Sequence, residues 1–207
     1  MNVSLKNARN RYVFAAVFAA LIAVSGFIRI PVPGSIVPVV LKNLFVVLAG
    51  TVLGGFYGGT AIVIFLAAGF IGIPVFVISG GLGVFLTPLG GYLIGYLAGC
   101  VTAGFICGLP RITDRKLRPT LLIRLCVGSF LGFALIDFCG VFYMMFLNSM
   151  SFRAALLAGF VPYILGDSVK LIVSVPLALA LRPIAARYIN PDISDAGDGN
   201  AHDEGEK

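Results

Sequence analysis

The sequence predicts an all-α integral membrane protein built as a bundle of six transmembrane helices. The first observation is compositional: of 207 residues, 59% are hydrophobic and only 12% are charged. A soluble globular domain usually carries about 25% charged residues, so this chain has too little polar surface to be one. The second observation is that acidic residues are segregated, since none precedes Asp114 and six of nine lie in the last sixteen positions.

Six apolar segments are long enough to span a membrane, because about 20 apolar residues cross about 30 Å of hydrocarbon. The predicted spans are residues 12–28, 39–54, 57–73, 89–109, 120–146 and 162–182. The second span starts after Pro38, the fifth ends near Leu147 and the sixth starts near Pro162. Several spans are short or rich in glycine, so a count of five is the alternative.

Clusters of basic residues predict the orientation. They lie before the first span, after the fourth and after the sixth: Lys6, Arg9 and Arg11; Arg111, Arg115, Lys116 and Arg118; Arg182 and Arg187. With six spans all three clusters lie on one face, which the positive-inside rule makes cytoplasmic. We therefore expect a multi-pass protein of the plasma membrane with both termini in the cytoplasm. A signal peptide cleaved near Ala23-Val24-Ser25-Gly26 is the alternative for the first segment.

The chain divides into two parts by composition. Residues 1–189 are expected to form a single transmembrane domain, and the acidic residues 190–207 a disordered cytoplasmic tail without apolar periodicity.

The net charge of +6 comes mainly from basic residues in the segments outside the spans rather than from the spans themselves. No basic patch is interleaved with exposed aromatics, so nucleic-acid binding is not predicted.

Several kinds of chemistry lack the residues they need. The single histidine, His202, lies in the acidic tail, so no zinc site or histidine-based nucleophilic triad is predicted. The four cysteines, at 100, 107, 126 and 139, form no CxxC motif and are expected to be small buried hydrophobes. The sequence also lacks a phosphate-binding loop of the GxxxxGK[ST] type. We expect no metal or cofactor, and any ATP hydrolysis must come from another subunit.

A row of small residues marks the first span. Ala15, Ala19 and Ala23 follow one another at intervals of four, with Ala16 and Ala20 beside them. Small residues at this spacing let two membrane helices approach closely. The row therefore predicts either packing within the chain or a docking surface for a partner protein.

Glycine interrupts the chain between the third and fourth spans, from Gly69 to Tyr92. Irregular backbone at membrane depth survives only where protein or a water-filled cavity covers it. We expect this segment to cover a small, largely apolar ligand, with Phe76, Phe85 and Tyr92 as possible walls. A mobile outer loop is the alternative.

Four ionisable residues lie between the predicted rims of the membrane: Lys42, Asp137, Asp167 and Lys170. Each costs at least about 2.5 kcal/mol at mid-bilayer, so such residues usually pair or line a polar cavity. Lys170 follows Asp167 on the same helical face, and Asp137 comes to a similar depth as Lys170. A shared polar site is predicted; the alternative is two neutralising ion pairs that only join helices.

Five groups of residues together resemble the BioY family, the biotin-binding S components of energy-coupling factor (ECF) importers. They are Pro31-Val32-Pro33-Gly34-Ser35 with Pro38 and Leu41; Gly69-x-x-Gly72-x-Pro74-Val75-Phe76; Gly80-Gly81-Leu82-Gly83; Pro88-x-Gly90-Gly91-Tyr92-Leu93-x-Gly95; and Pro162-Tyr163-x-x-Gly166-Asp167-x-x-Lys170. The resemblance extends from about residue 12 to about residue 182. It implies an ECF S-component-like bundle that holds biotin near the outer face of the membrane.

The resemblance also implies partners and site residues. A transmembrane coupling subunit and ATPase subunits, on separate chains, would power release inward, and Ala15, Ala19 and Ala23 look like the motif that docks on the coupling subunit. Asp167 would accept hydrogen bonds from the ureido N–H groups, while Lys170 would donate to the ureido oxygen or to the carboxylate. The candidate substrate-binding residues are Asp167, Lys170, Tyr163, Gly81, Gly83, Phe76, Tyr92, Lys42 and Asp137.

Two residues depart from the family pattern. Lys42 stands where a neutral amide is expected, and Asp137 is an unexpected carboxylate in the fifth span. Either the two form a compensating ion pair, or the pocket selects another vitamin-like carboxylate such as lipoate. An intramembrane aspartyl enzyme that uses Asp137 and Asp167 is the alternative from a different class.

Overall fold

Seven α-helices build the protein within the residues that the computed structural model describes, namely 2–30, 39–76, 81–115, 118–161 and 163–189. They are α1 (Asn2–Ser25), α2 (Lys42–Leu53), α3 (Gly55–Phe70), α4 (Leu89–Cys107), α5 (Pro119–Leu147), α6 (Phe152–Gly159) and α7 (Ile164–Ile189). Two short 3-10 helices occur at Leu82–Leu86 and Ile112–Arg115. An antiparallel pair of two-residue strands, β1 (Arg29–Ile30) and β2 (Val39–Val40), joins the ends of α1 and α2.

The all-helical fold class is confirmed, but the count of six membrane crossings is not. Each predicted span corresponds to one of the longer helices, and α6 is an additional short helix of 8 residues. In the described part of the chain, α4, α5 and α7 are long and apolar enough to cross a membrane, while α2 and α3 are shorter apolar helices. The number of crossings and the expected tail at 190–207, which lies outside the described residues, stay predictions.

Glycine sets how closely α4 packs against α5. Gly91, Gly95 and Gly99 follow one another at intervals of four on the face of α4 that meets α5. A Cβ on Gly95 would lie 2.8 Å from the Ile136 Cα, and one on Gly99 would lie 2.5 Å from the Gly132 carbonyl oxygen. The two backbones are therefore in contact, as small residues at this spacing permit in membrane helices.

A side chain at position 99 should push these helices apart. We expect Gly99→Val to destabilise the protein by about 1–3 kcal/mol, the usual cost of overpacking a filled core. The matched variant Leu97→Val, at an exposed position of the same helix, should change stability little. The measurement is the thermal unfolding midpoint of each detergent-solubilised protein. Equal midpoints for the two variants would show that α4 and α5 tolerate separation.

Arg182 connects α7 to neighbouring segments at one end of the bundle. Its side chain is only 1% exposed, although it lies in α7 among apolar residues. The guanidinium donates to the Asp114 carboxylate at 2.8 Å and to four backbone carbonyls, those of Thr51, Cys107, Gly108 and Leu109. Arg182 was expected in the basic cluster after the last span; it is buried within α7, which continues to Ile189, and its position relative to the membrane stays a prediction.

Candidate ligand-binding site

A cavity of about 140 Å³ lies at the opposite end of the bundle from Arg182. It is several times larger than the roughly 30 Å³ that a water molecule occupies in the liquid, so it has room for a small organic molecule. Its lining among the described residues is Lys42, Asn43, Phe76, Val84, Leu89, Tyr92, Leu93, Tyr96, Tyr163 and Lys170. Apolar and aromatic walls with a few polar groups are typical of small-molecule sites.

One face of α4 forms part of the cavity wall. Leu89, Tyr92, Leu93 and Tyr96 recur at offsets of three, four and seven residues, which places them on one helical face. The Tyr92 hydroxyl donates to the Gly159 carbonyl at 2.7 Å, so it is fixed to the end of α6. Tyr92 and Tyr163 were predicted as site residues, whereas Tyr96 was not, although its spacing from Tyr92 is a signal that sequence reasoning could have used.

Asp167 and Lys170 form a buried ion pair at the start of α7. Lys170 Nζ donates to Asp167 Oδ1 at 2.7 Å, and both side chains are buried. The other carboxylate oxygen, Oδ2, is buried without a hydrogen-bond donor among the described residues. Asp167 is not among the described lining residues of the cavity, although its partner Lys170 is. A buried acceptor without a donor is costly, and the side chain next to this carboxyl is Asp137.

Asp137 is adjacent to the Asp167 carboxyl of this ion pair. It projects from α5, is buried, and comes close enough to the Asp167 carboxyl for a hydrogen bond. Asp137 does not line the cavity; its outer side faces an apolar groove between α5 and α6 that includes Phe138 and Phe160. Sequence reasoning correctly brought Asp137 to the depth of Lys170, but the structure places it next to Asp167 rather than against a lysine of its own.

Lys42 reaches the cavity from the first residue of α2. Its Nζ donates to the Val75 carbonyl at 3.0 Å and lies 5.1 Å from the centroid of the Phe65 ring. The compensating ion pair between Lys42 and Asp137, one of the two explanations given for these residues, is therefore not formed. In the described ranges the ion pairs are Lys170 with Asp167 and Arg182 with Asp114.

The segment after α3 supplies part of the wall. Phe76 is buried, lines the cavity, and packs edge-on against Phe65 and Phe70 with ring centroids 5.6 and 5.7 Å apart. Phe85 instead packs against Phe70, at 5.4 Å, and is not among the described lining residues. Since 77–80 lie outside the described residues, as do 31–38 and Pro162, the expected covering role of this segment stays a prediction.

The two glycines predicted as site residues border that gap. Gly81 adopts a positive φ of 89°, and its N–H donates to the Gly69 carbonyl at 2.8 Å. Neither Gly81 nor Gly83 is in the described lining of the cavity, and a Cβ on either would meet nothing within 4 Å. In this structure Gly81 ties the loop to the end of α3, and a contact of either glycine with a ligand stays a prediction.

The alanine row of α1 packs inside the chain. Ala15 and Ala19 are buried and Ala23 is partly buried against the core, whereas Ala16 and Ala20 are exposed. This arrangement agrees with the packing alternative for the row. Its role as a docking surface stays a prediction, and the exposed Ala16 and Ala20 are the small side chains that a partner would meet first.

The described residues contain no group of three or more His, Cys, Asp or Glu side chains able to hold a metal ion. The four cysteines are free thiols: Cys100 and Cys107 are buried, Cys139 is partly exposed and Cys126 is exposed on α5. Burial of all four was expected, so the expectation is wrong for Cys126, where α5 turns an apolar face outward.

Known proteins of one family resemble this chain along most of its length. The BioY family model matches residues 1–187. A probable biotin transporter BioY from Lysinibacillus sphaericus is 36% identical over 172 residues, which cover 80% of this chain and 83% of the relative. The biotin transporter BioY from Thermotoga maritima is 35% identical over 171 residues, or 82% of this chain and 94% of the relative.

The fold of this chain is also similar to that of a solved structure. The S-component for biotin from an ECF-type ABC transporter, in a crystal structure at 2.1 Å, matches with a TM-score of 0.69 and 30% sequence identity. The match covers 87% of this chain and 93% of that one. The similarity therefore includes most of the helices that line the cavity.

Proposed function

Because this chain belongs to the BioY family, we propose that it is the membrane-embedded S component of an ECF-type importer and that its substrate is biotin. It is a multi-pass membrane protein, and its family is one of transporters rather than enzymes. The single observation that carries the substrate assignment is the buried Asp167–Lys170 pair at a cavity walled by aromatic side chains.

The chemistry of biotin complements this pair. The ureido ring offers two N–H donors and one carbonyl acceptor, whereas most of the molecule is apolar. Asp167 Oδ2, which has no described donor, accepts a ureido N–H, and the Lys170 ammonium donates to the ureido oxygen. Asp137 stands behind Asp167 and positions its carboxyl. A ligand without these groups leaves the pair unsatisfied, which costs about 1–3 kcal/mol per buried group.

Aromatic side chains hold the apolar part of the ligand. Tyr92 and Tyr96 of α4, Tyr163 just before α7 and Phe76 in the segment after α3 all line the cavity. Gly81 and Gly83 belong to the loop that we place over the bound molecule. The site lies near the outer face of the plasma membrane if both termini are cytoplasmic, as the basic clusters favour.

Import needs partner chains. This sequence has no phosphate-binding loop, so energy must come from separate ATPase subunits, joined to this chain by a transmembrane coupling subunit. We place the contact with the coupling subunit on α1, beside the row of Ala15, Ala19 and Ala23, where Ala16 and Ala20 are exposed. The lipid bilayer covers the remaining apolar surface.

The two adjacent carboxyls do not make this protein an aspartyl enzyme. Asp137 lies close enough to Asp167 for a hydrogen bond between the two carboxyls. Asp167, however, is bound to the Lys170 ammonium at 2.7 Å, whereas an aspartyl dyad depends on a proton shared between two carboxylates. With the family being one of transporters, the enzyme alternative is rejected.

Uptake of labelled biotin tests the proposed role. Cells that make this chain with a coupling subunit and ATPase subunits should accumulate biotin, and cells with the Lys170→Met variant should not. Lipoate in excess should leave uptake unchanged. The exposed variant Ser168→Ala, two positions from Lys170, is the matched control. Biotin uptake that is indifferent to Lys170→Met, or that lipoate abolishes, would contradict the proposal.

A further inference from the structure

Lys42 carries a positive charge that no carboxylate neutralises in the described part of the chain. Its side chain is 3% exposed and lines the cavity. The ammonium has three N–H donors. Its single acceptor among the described residues is the Val75 carbonyl at 3.0 Å, and the Phe65 ring lies beside it. Donor capacity therefore remains on a buried cation at the cavity wall.

The two lysines of the cavity differ in whether a carboxylate neutralises their charge. Lys170 is bound to Asp167 at 2.7 Å, with Asp137 behind it, so the end of the cavity formed by α7 already contains its counter-ions. Lys42 projects from α2, and the ion pairs of the described residues do not include it. An unpaired charge is unfavourable in a membrane protein and usually marks a functional site. A ligand anion in the cavity would supply the missing counter-ion.

The position of Lys42 is held by packing. A Cβ on Gly26 would lie 2.7 Å from the Lys42 Nζ, so the glycine backbone closes one side of the ammonium. The hydrogen bond to Val75 and the Phe65 ring restrict two further sides. Lys42 also lines the cavity, from which a ligand can approach its ammonium.

We propose that Lys42 binds the carboxylate of the ligand and makes the site selective for the free acid. The site then has two polar parts, the Asp167–Lys170 pair for the ureido ring and Lys42 for the anionic tail, and Tyr92, Leu93 and Tyr96 of α4 form part of the wall beside them. This inference rests on the proposed function, because it assigns the second end of the same ligand. Esters and amides of biotin, which lack the negative charge, are excluded as good substrates.

Binding of biotin and of biotin methyl ester to the purified full-length protein tests the assignment. Wild type should prefer biotin by at least about 10-fold, the ratio expected for one charge-assisted hydrogen bond. Lys42→Met should lose that preference, since biotin binding falls by at least about 10-fold while ester binding stays within about 3-fold. Retained ester binding also shows that the variant folds. Lys42→Gln, a neutral donor of similar length, should behave as Lys42→Met does.

Lys170→Met is the matched comparison at the other end of the cavity. It should weaken biotin and the ester alike, because both carry the ureido ring. Equal binding of the two compounds to wild type, or an equal loss of both on Lys42→Met, would overturn the role of Lys42 and leave biotin as substrate. Failure of both compounds to bind wild type would overturn the proposed function itself, and with it this assignment.

Discussion

Asp167→Asn should lower the affinity of the purified protein for biotin by at least about 10-fold, because the ligand loses a hydrogen bond to a charged group, worth about 1.5–3 kcal/mol. The substitution has two effects at one point. It removes the counter-ion of Lys170, which donates to Asp167 at 2.7 Å. It also replaces one of the two carboxylate oxygens by an amide NH₂ group, which cannot accept a hydrogen bond from the ligand. Isothermal titration calorimetry on detergent-solubilised protein measures the change.

Ser168→Ala is the control for this loss. Ser168 is the next residue of α7, it is exposed, and its hydroxyl donates to the Ile164 carbonyl of its own helix at 2.7 Å. The affinity of the Ser168→Ala variant for biotin should match that of wild type. An affinity of Asp167→Asn within about 3-fold of wild type, in a folded sample, would remove Asp167 from the site, since that change is too small for a lost buried hydrogen bond.

Arg182→Met should have the largest effect on stability. Five acceptors lose their donor at once, and breaking a buried pair by removing one partner typically costs about 3–5 kcal/mol. For a chain of this size that corresponds to a fall of about 10 °C in the unfolding midpoint. Biotin affinity of the folded fraction should be unchanged, because Arg182 lies about 22 Å along α7 from Asp167 at 1.5 Å per residue.

Arg187→Met separates this effect from a general loss of basic charge. Arg187 lies on the same helix and is exposed. Its replacement should leave the unfolding midpoint nearly unchanged. Arg182→Lys should restore only part of the stability, since an ammonium lacks the planar set of five donors that reaches several carbonyls. Similar midpoints for Arg182→Met and Arg187→Met would show that the buried hydrogen bonds contribute little.

The helices and the central ion pair were predictable because their signals are local. Long apolar runs marked every helix except α6. That helix has only 8 residues, too few for a recognisable span, and it begins at Ser151, whose hydroxyl accepts from the Ala154 N–H. The Asp167–Lys170 pair follows from a separation of three residues within one helix. Both inferences need no knowledge of how distant segments pack.

The remaining interactions depend on tertiary structure. Arg182 and Asp114 are 68 residues apart, and nothing in either local sequence indicates that they meet. The partner of Lys42 is the backbone carbonyl of Val75, a group that every residue carries and that leaves no mark in the sequence. The expected partner, Asp137, instead lies beside Asp167 because the close packing of α5 and the start of α7 decides that contact.

Equilibrium binding of biotin to the purified wild-type protein, with lipoate as competitor, tests the central claim most directly. We expect saturable binding of one biotin per chain that lipoate in excess does not displace. Lipoate has a carboxylate tail but no ureido ring, so it satisfies Lys42 without satisfying Asp167 and Lys170. Absence of biotin binding in a folded sample, or displacement by lipoate at comparable concentration, would contradict the assignment of this cavity to biotin.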